Sequence, residues 1–98
     1  MKNNTFTKSK IFDSTIRIQI LASLYTSELT YNQLKKVCQV ADGAMTNHTN
    51  KLHMAGYIDV KKEFVNNRPQ TTYSITELGK NEFEKFVDYL NTAIKSKS

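Results

Sequence analysis

Residues 42–75 decide the fold, and they read DGAMTNHTNKLHMAGYIDVKKEFVNNRPQTTYSI. The first part of this stretch has helical spacing. We predict a helix that is capped by Asp42 and ends near Met54, because aspartate is a favoured N-cap and Gly56 suits the left-handed position after a helix. The inward side of this helix is expected to carry Met45, His48, Thr49 and Leu52.

The opposite side of this helix is short, polar and rich in amides. Asparagine pairs bidentately with adenine, and threonine bonds base edges or contacts the thymine methyl group. A glycine near the helix start allows close approach to a duplex. Such a face is also typical of the solvent-exposed side of a helix whose other side packs in the core. A second interpretation is that this side binds DNA. The base-reading residues, which would contact base edges, are then Gly43, Thr46, Asn47 and Asn50.

A β-hairpin is predicted after the helix. Side chains alternate in character from Ile58 to Phe64, which is the period of a strand. Residues 66–69 supply turn chemistry, and 70–75, rich in Thr and Tyr, return as the second strand. Basic residues here either contact DNA phosphates or protect an edge strand from aggregation. The candidate phosphate contacts are Lys51, Lys61, Lys62 and Arg68.

Two helices are predicted before this stretch. The first is capped by Asp13 or Ser14 and has apolar residues on more than one side, with Ile18 away from the main stripe. A capping box at 30–33 begins the second, whose inward residues are expected to be Leu34 and Val37. A turn follows at 38–40. A helix that is apolar on two sides needs two neighbours, and one of them can belong to another chain.

A long helix is predicted at the C-terminal end, from Thr76 as its cap through residues 77–95. Its stripe is longer than so small a body can cover, so we expect a homodimer rather than a stripe that serves the core alone. The residues expected at the dimer interface are Ile18, Phe83, Phe86, Val87, Leu90 and Ile94. Residues 1–10 are polar and are expected to form a flexible arm before a single domain over 11–98.

Composition favours a polyanionic partner. The 98 residues carry a net charge of +5, and ten basic against five acidic residues precede Glu77, whereas four of each sign follow from there on. Cys38 is the only cysteine, which excludes an intrachain disulfide and favours a reducing cytoplasm. We find neither a signal-peptide h-region nor an apolar stretch long enough to cross a membrane.

The order helix, helix, turn, helix, hairpin, helix presents the third helix to the DNA major groove. Three motifs resemble the small MarR/ArsR-like winged-helix DNA-binding domains: DGAMTNH at 42–48, KLHMAGYI at 51–58 and RPQTTYSITELG at 68–79. The resemblance spans about residues 11–90. It implies a mainly α (α+β) fold, a winged helix-turn-helix with a β-hairpin wing. It also implies transcription regulation by a homodimer held by its first and last helices.

The sequence is also compatible with a second function, and it disfavours several others. A winged-helix protein–protein interaction module that never meets DNA is the alternative. His48 and His53 are five residues apart, which is poor spacing for one metal, and the paired cysteines of metal-sensing relatives are missing. A redox role for Cys38 is a minor alternative to simple packing. We predict no metal, no cofactor and no enzyme activity, and the sequence identifies no effector.

Overall fold

The computed structural model describes residues 10–96. A 3-10 turn (Ile11–Asp13) precedes four helices and three strands, and the secondary structure confirms the predicted fold class. Most of the predicted flexible arm, residues 1–9, lies outside the described residues. None of the described helices is long and apolar enough to cross a membrane. The elements in chain order are α1 (Thr15–Leu24), β1 (Leu29–Thr30), α2 (Tyr31–Cys38), α3 (Asp42–Met54), β2 (Ile58–Val65), β3 (Arg68–Ile75) and α4 (Glu77–Ser96).

The core lies where α1, α2, α3 and the base of the sheet meet. Ser14, and not Asp13, caps α1, since its hydroxyl oxygen accepts a hydrogen bond from the Arg17 amide at 3.3 Å. In α2, Cys38 is buried, but Val37 is exposed, so the prediction that Val37 points inward is wrong. The buried apolar residues are Phe12, Ile20, Leu21, Leu24, Leu34, Cys38, Met45, Leu52, Tyr57, Ile58 and Tyr73.

The turn between α2 and α3 sets the direction of α3. The capping box at Thr30 and Gln33 is present, and the C-cap of α2 is Gln39, whose φ is 54°. The N-cap of α3 is Ala41, which offers no side-chain cap, and Asp42 is already inside the first turn. The prediction of Asp42 as the cap is therefore wrong. Its carboxylate still benefits α3, because negative charge is favourable in the first turn of a helix.

A Schellman motif ends α3 and directs the chain into the hairpin. The amide of Tyr57 donates to the carbonyl of Leu52 at 3.0 Å, and the amide of Gly56 donates to that of His53 at 3.0 Å. Gly56 has φ +81°, a conformation that L side chains rarely adopt. This confirms the position predicted for it.

The wing is a two-residue hairpin. Asn66 and Asn67 both have positive φ, as a type I′ turn requires, and they join β2 to β3. Arg68 and Pro69 belong to β3, so the prediction that they complete the turn is corrected. Pro69 costs no bond to β2, because its pair with Phe64 follows the hydrogen-bonded Val65–Arg68 pair and is a non-hydrogen-bonded one. The short strand β1 pairs with β3, giving the antiparallel order β1-β3-β2.

Helix α4 is joined closely to the start of the wing. The hydroxyl oxygen of Thr76 accepts from the amide of Gly79 at 3.0 Å, which confirms Thr76 as the cap, and its hydroxyl donates to the carbonyl of Gly56 at 2.6 Å. A Cβ on Gly79 would lie 2.2 Å from the carbonyl oxygen of Tyr57, so only glycine allows this approach. The first half of α4 is thereby fixed to the body.

Candidate nucleic-acid interface

The predicted base-reading residues share one exposed side of α3. Gly43, Thr46, Asn47 and Asn50 are all exposed, while Met45, Thr49 and Leu52 on the other side are buried. Within the part of the chain that the structure describes, the side-chain amides of Asn47 and Asn50 make no hydrogen bond. These two amides are therefore free to pair with an outside partner.

Gly43 lies in open space at the start of this side. A Cβ built on it would meet nothing within 4 Å. The protein's own packing therefore does not require glycine there, in contrast to Gly79. The predicted role of Gly43 in close approach to DNA stays a prediction.

A polar brace, formed by Tyr31, Lys35 and Asp42, joins α2 to the N-terminal end of α3. The Tyr31 hydroxyl donates to Asp42 Oδ1 at 2.6 Å, and Lys35 Nζ lies 2.8 Å from the same oxygen. Lys35 and then Tyr31 lower the pKa of the Asp42 carboxyl, and the hydrogen bond to Asp42 raises the pKa of Tyr31. The carboxylate remains charged at neutral pH and connects α2 to α3 through these two contacts.

A buried arginine of α1, Arg17, contacts the inward side of α3. Arg17 is 6% exposed, and its guanidinium donates to the carbonyls of Ile11 at 2.8 Å and Lys10 at 2.9 Å. Its third contact is with Nδ1 of His48, at 3.0 Å. Because a guanidinium only donates, Nδ1 must accept, which places the proton of the neutral ring on Nε2. Burial, and then the charges of Arg17 and Lys51, lower the pKa of His48.

The sequence predicts no role for Arg17 beyond its share of the positive charge that precedes Glu77. Arg17 precedes Ile20, Leu21 and Leu24 by three, four and seven positions, so helical spacing places it on the buried side of α1. That spacing was the signal that could have found it. His48 is half-buried, which agrees with the packing role predicted for it.

A groove lies between α3 and the wing. Asn50 and Thr46 line it on the α3 side, and residues of the hairpin line it on the other side. Its polar lining includes Tyr31, Thr46, Asn50, His53, Lys62 and Thr71. His53 follows Thr46 by seven residues and Asn50 by three, so the helical period could have added it to the predicted set. The surface of α3 thus continues across the groove onto the wing.

The four predicted phosphate contacts are not on one surface. Lys51 is exposed on α3 and Lys62 lines the groove, whereas Lys61 is on the other face of β2, 3.8 Å from the carboxylate of Glu63. Arg68 is exposed beside the turn, where it pairs with Val65. The wing therefore carries basic residues on both faces, and on the face of Lys61 they are accompanied by the acidic residues Asp59 and Glu63.

The predicted dimer residues fall into two groups. Phe83, Phe86 and Ile18 are half-buried against the protomer's own core, with the Phe86 ring stacked on Phe12 at 4.6 Å between centroids. Towards the end of α4 the apolar side chains are exposed: Val87 is 37%, Leu90 42% and Ile94 68% exposed. Their role in a dimer stays a prediction.

Cysteine and histidine were also considered as reactive or metal-binding groups. Cys38 is buried, and burial raises the pKa of its thiol, which disfavours the reactive thiolate. Within residues 10–96, no group of three or more His, Cys, Asp or Glu side chains is placed to hold a metal ion.

Known proteins are similar to this chain over most of its length. A family model described as a winged helix DNA-binding domain matches residues 16–94. An uncharacterised protein of Methanocaldococcus jannaschii is 35% identical over 79 residues, which is 80% of this chain and 86% of that protein. A solved transcriptional regulator homologue from Pyrococcus horikoshii is 25% identical with a TM-score of 0.86, covering 96% of this chain and 94% of that one.

A more distant solved structure shows the fold alone. It is a MarR-family regulator from Porphyromonas gingivalis, which is 16% identical with a TM-score of 0.75 and covers 96% of this chain and 95% of its own. The matched region, residues 16–94, includes α1, the brace, α3, the wing and most of α4. The chain belongs to the winged helix DNA-binding domain family.

Proposed function

We propose that this protein is a transcription regulator that binds double-stranded DNA sequence-specifically as a homodimer. Helix α3 enters the major groove, and the wing lies on the backbone or in the minor groove beside it. The observation that carries the proposal is the groove that brings Thr46 and Asn50, on the exposed side of α3, together with Lys62 of the wing. Membership of a DNA-binding family supports the same partner.

The major groove suits the outer side of α3. It is about 12 Å wide and admits one helix. Asn47 and Asn50 then pair with base edges, Thr46 contacts a base edge or a thymine methyl group, and Gly43 lets the helix start approach the duplex. The brace at Asp42 and the Arg17–His48 contact connect α3 to α2 and α1, and a helix that is already positioned loses less entropy on binding.

In this proposal the basic residues of the wing contact DNA phosphates on both sides of the hairpin. Phosphates border the minor groove on both strands, so a hairpin placed there meets them with both faces. Lys62 contacts one strand in this proposal, and Lys61 and Arg68 contact the other. Lys51 neutralises a phosphate at the edge of the major groove. These contacts supply affinity and register and carry no direct sequence information.

The second half of α4 supports a homodimer. Val87, Leu90 and Ile94 recur at helical spacing and are exposed together, and contiguous exposed apolar surface marks interaction sites. Ile18 and the outer parts of Phe83 and Phe86 would complete the interface. A two-fold dimer then reads a pseudo-palindrome with half-site centres about 34–36 Å apart. A cytoplasmic location is part of this proposal.

Base reading is tested with single variants of α3 and the wing. Asn47→Ala and Asn50→Ala should each relax preference at one base pair of a duplex selected from a random pool, with a loss of about 5- to 150-fold at that position. Lys62→Ala should weaken binding to all duplexes alike. Full sequence preference in both asparagine variants would contradict direct reading by α3.

The exposed end of α4 also favours a second function, a protein–protein interaction module without DNA binding. The stripe of Val87, Leu90 and Ile94 would then contact a different protein. A pull-down that recovers a heteromeric partner, together with no DNA affinity at low salt, would support this function and exclude the first.

A further inference from the structure

Phe64 is an aromatic residue that the fold does not use. It is 77% exposed near the tip of β2, and its cross-strand partner is the exposed Pro69. It takes part in none of the ring contacts found among the described residues, which join Phe12, Tyr25, Tyr57, Phe83 and Phe86. An exposed Phe–Pro pair therefore adds little to stability and leaves apolar surface open to a partner.

The pleat of the sheet places Phe64 on the side that faces α3. Alternate residues of a strand share one face, so Phe64 lies on the face of Val60, which packs on the core, and of Lys62, which lines the groove. Both acidic residues of β2, Asp59 and Glu63, fall on the opposite face. The face around Phe64 is thus positive and apolar, a combination that suits a polyanion with stacked rings inside it.

The reach of the wing matches the distance to the neighbouring minor groove. Val60 borders the groove beside α3, and Phe64 is four residues further, or about 13 Å at the rise of a strand. With α3 in the major groove, the next minor groove is about half a helical turn away, roughly 17 Å of a turn of about 34 Å. The tip of the wing therefore extends from α3 by a length comparable to the spacing of the two grooves.

We propose that Phe64, supported by Pro69, inserts from the minor groove between two base pairs as an apolar wedge and kinks the duplex. Phenylalanine and proline are among the residues that architectural proteins insert in this way, and such wedges bend DNA by about 20–90°. Flexible pyrimidine–purine steps are preferred at this position, since they unstack at least cost. The proposal rests on the proposed DNA-binding function and assigns a contact that α3 does not make.

The experiment compares Phe64→Ala with Val65→Ala, its neighbour on the opposite face of the same strand. The probe is a duplex selected by the wild-type protein, with 2-aminopurine at successive positions and a fluorophore pair at its ends. The wild type should raise 2-aminopurine emission at one step and shorten the end-to-end distance. Phe64→Ala should lose both signals and about 5- to 100-fold in affinity, a loss of the size that base–aromatic stacking gives.

Phe64→Leu should retain most of the bend, because leucine is also a wedge residue. Val65→Ala should bind and bend like the wild type, and thermal melting should show that all three variants fold. Equal bending and affinity for Phe64→Ala and the wild type would overturn the wedge and leave the DNA function intact. A change in oligomeric mass without a change in DNA bending would assign Phe64 to a protein contact and overturn the wedge. Absence of DNA binding by the wild type would instead overturn the proposed function.

Discussion

Gly43 and His48 are the two residues of α3 whose chemistry is best separated from general helix stability. Gly43 has open space around it, and His48 accepts a hydrogen bond from a buried arginine. One is exposed towards the proposed partner and the other faces the body. Substitutions at the two positions therefore test the two sides of the same helix independently.

Gly43→Ala should separate stability from binding. Alanine is a better helix residue than glycine and meets no atom here, so the free energy of unfolding should rise by up to about 0.5–1 kcal/mol. DNA affinity should fall, because the added methyl group lies where α3 approaches the duplex. Urea unfolding and DNA titration of the same variant measure the two effects. A more stable variant with unchanged affinity would show that Gly43 does not contact DNA.

His48 should make stability depend on pH. Its pKa is lowered in the folded state, so below about 6.5, its ordinary value, the unfolded chain takes up a proton that the folded chain refuses. The contribution of His48 to the free energy of unfolding should therefore be complete above pH 6.5 and should decrease as the pH drops through the folded-state pKa.

This pH dependence is measured by urea unfolding between pH 5 and 8. His48→Gln should remove part of it, because glutamine keeps an oxygen that can accept from Arg17 but does not titrate. His53→Gln, at an exposed position on the same helix, serves as the control. An identical pH dependence in the wild type and His48→Gln would contradict this role.

Helix α4 changes its surroundings along its length. Its first half is fixed by Thr76 and Gly79 and packs Phe83 and Phe86 on Phe12. The Tyr25 hydroxyl also donates to Glu84, so α1 and α4 are joined at their polar rim. Beyond Val87 the apolar residues are exposed. The element therefore combines a core segment with a segment that lacks cover within the described protomer.

Leu90→Asp should dissociate the proposed dimer without unfolding the protomer. Leu90 is 42% exposed, so the protomer depends on it little, whereas a charge inside an apolar interface is costly. Sedimentation equilibrium at micromolar concentration should give the monomer mass for this variant and the dimer mass for the wild type. Asn91→Asp, exposed one position along, should remain a dimer. A monomeric wild type would contradict the α4 interface.

At the scale of the whole molecule, the parts that could be predicted were those with a period or an obligatory residue. The alternation after Ile58 and the glycine at 56 fixed the hairpin and the end of α3. The role of Arg17 could not be predicted from local sequence, because its three acceptors come from the 10–11 segment and α3. Asp42 looked like a cap because its type favours caps, yet its partners are on α2.

The candidate site was predictable as a list and not as a surface. Helical spacing put Asn47 and Asn50 on the outer side of α3, where they lie. Only the packing of the sheet against α3 shows that Lys62 borders the same groove while Lys61 faces away. The sequence alone gives each strand two faces, but the neighbours that choose between them come from distant segments.

The central claim, DNA binding by this surface, is tested most directly by titrating selected genomic duplexes with the wild-type protein at several salt concentrations. Four cations per protomer, or eight in a dimer, predict a slope of about −7 for log affinity against log salt, at about −0.9 per phosphate. One palindromic duplex should also outcompete bulk DNA. Absence of binding at low salt would contradict the account, as would equal affinity for all duplexes.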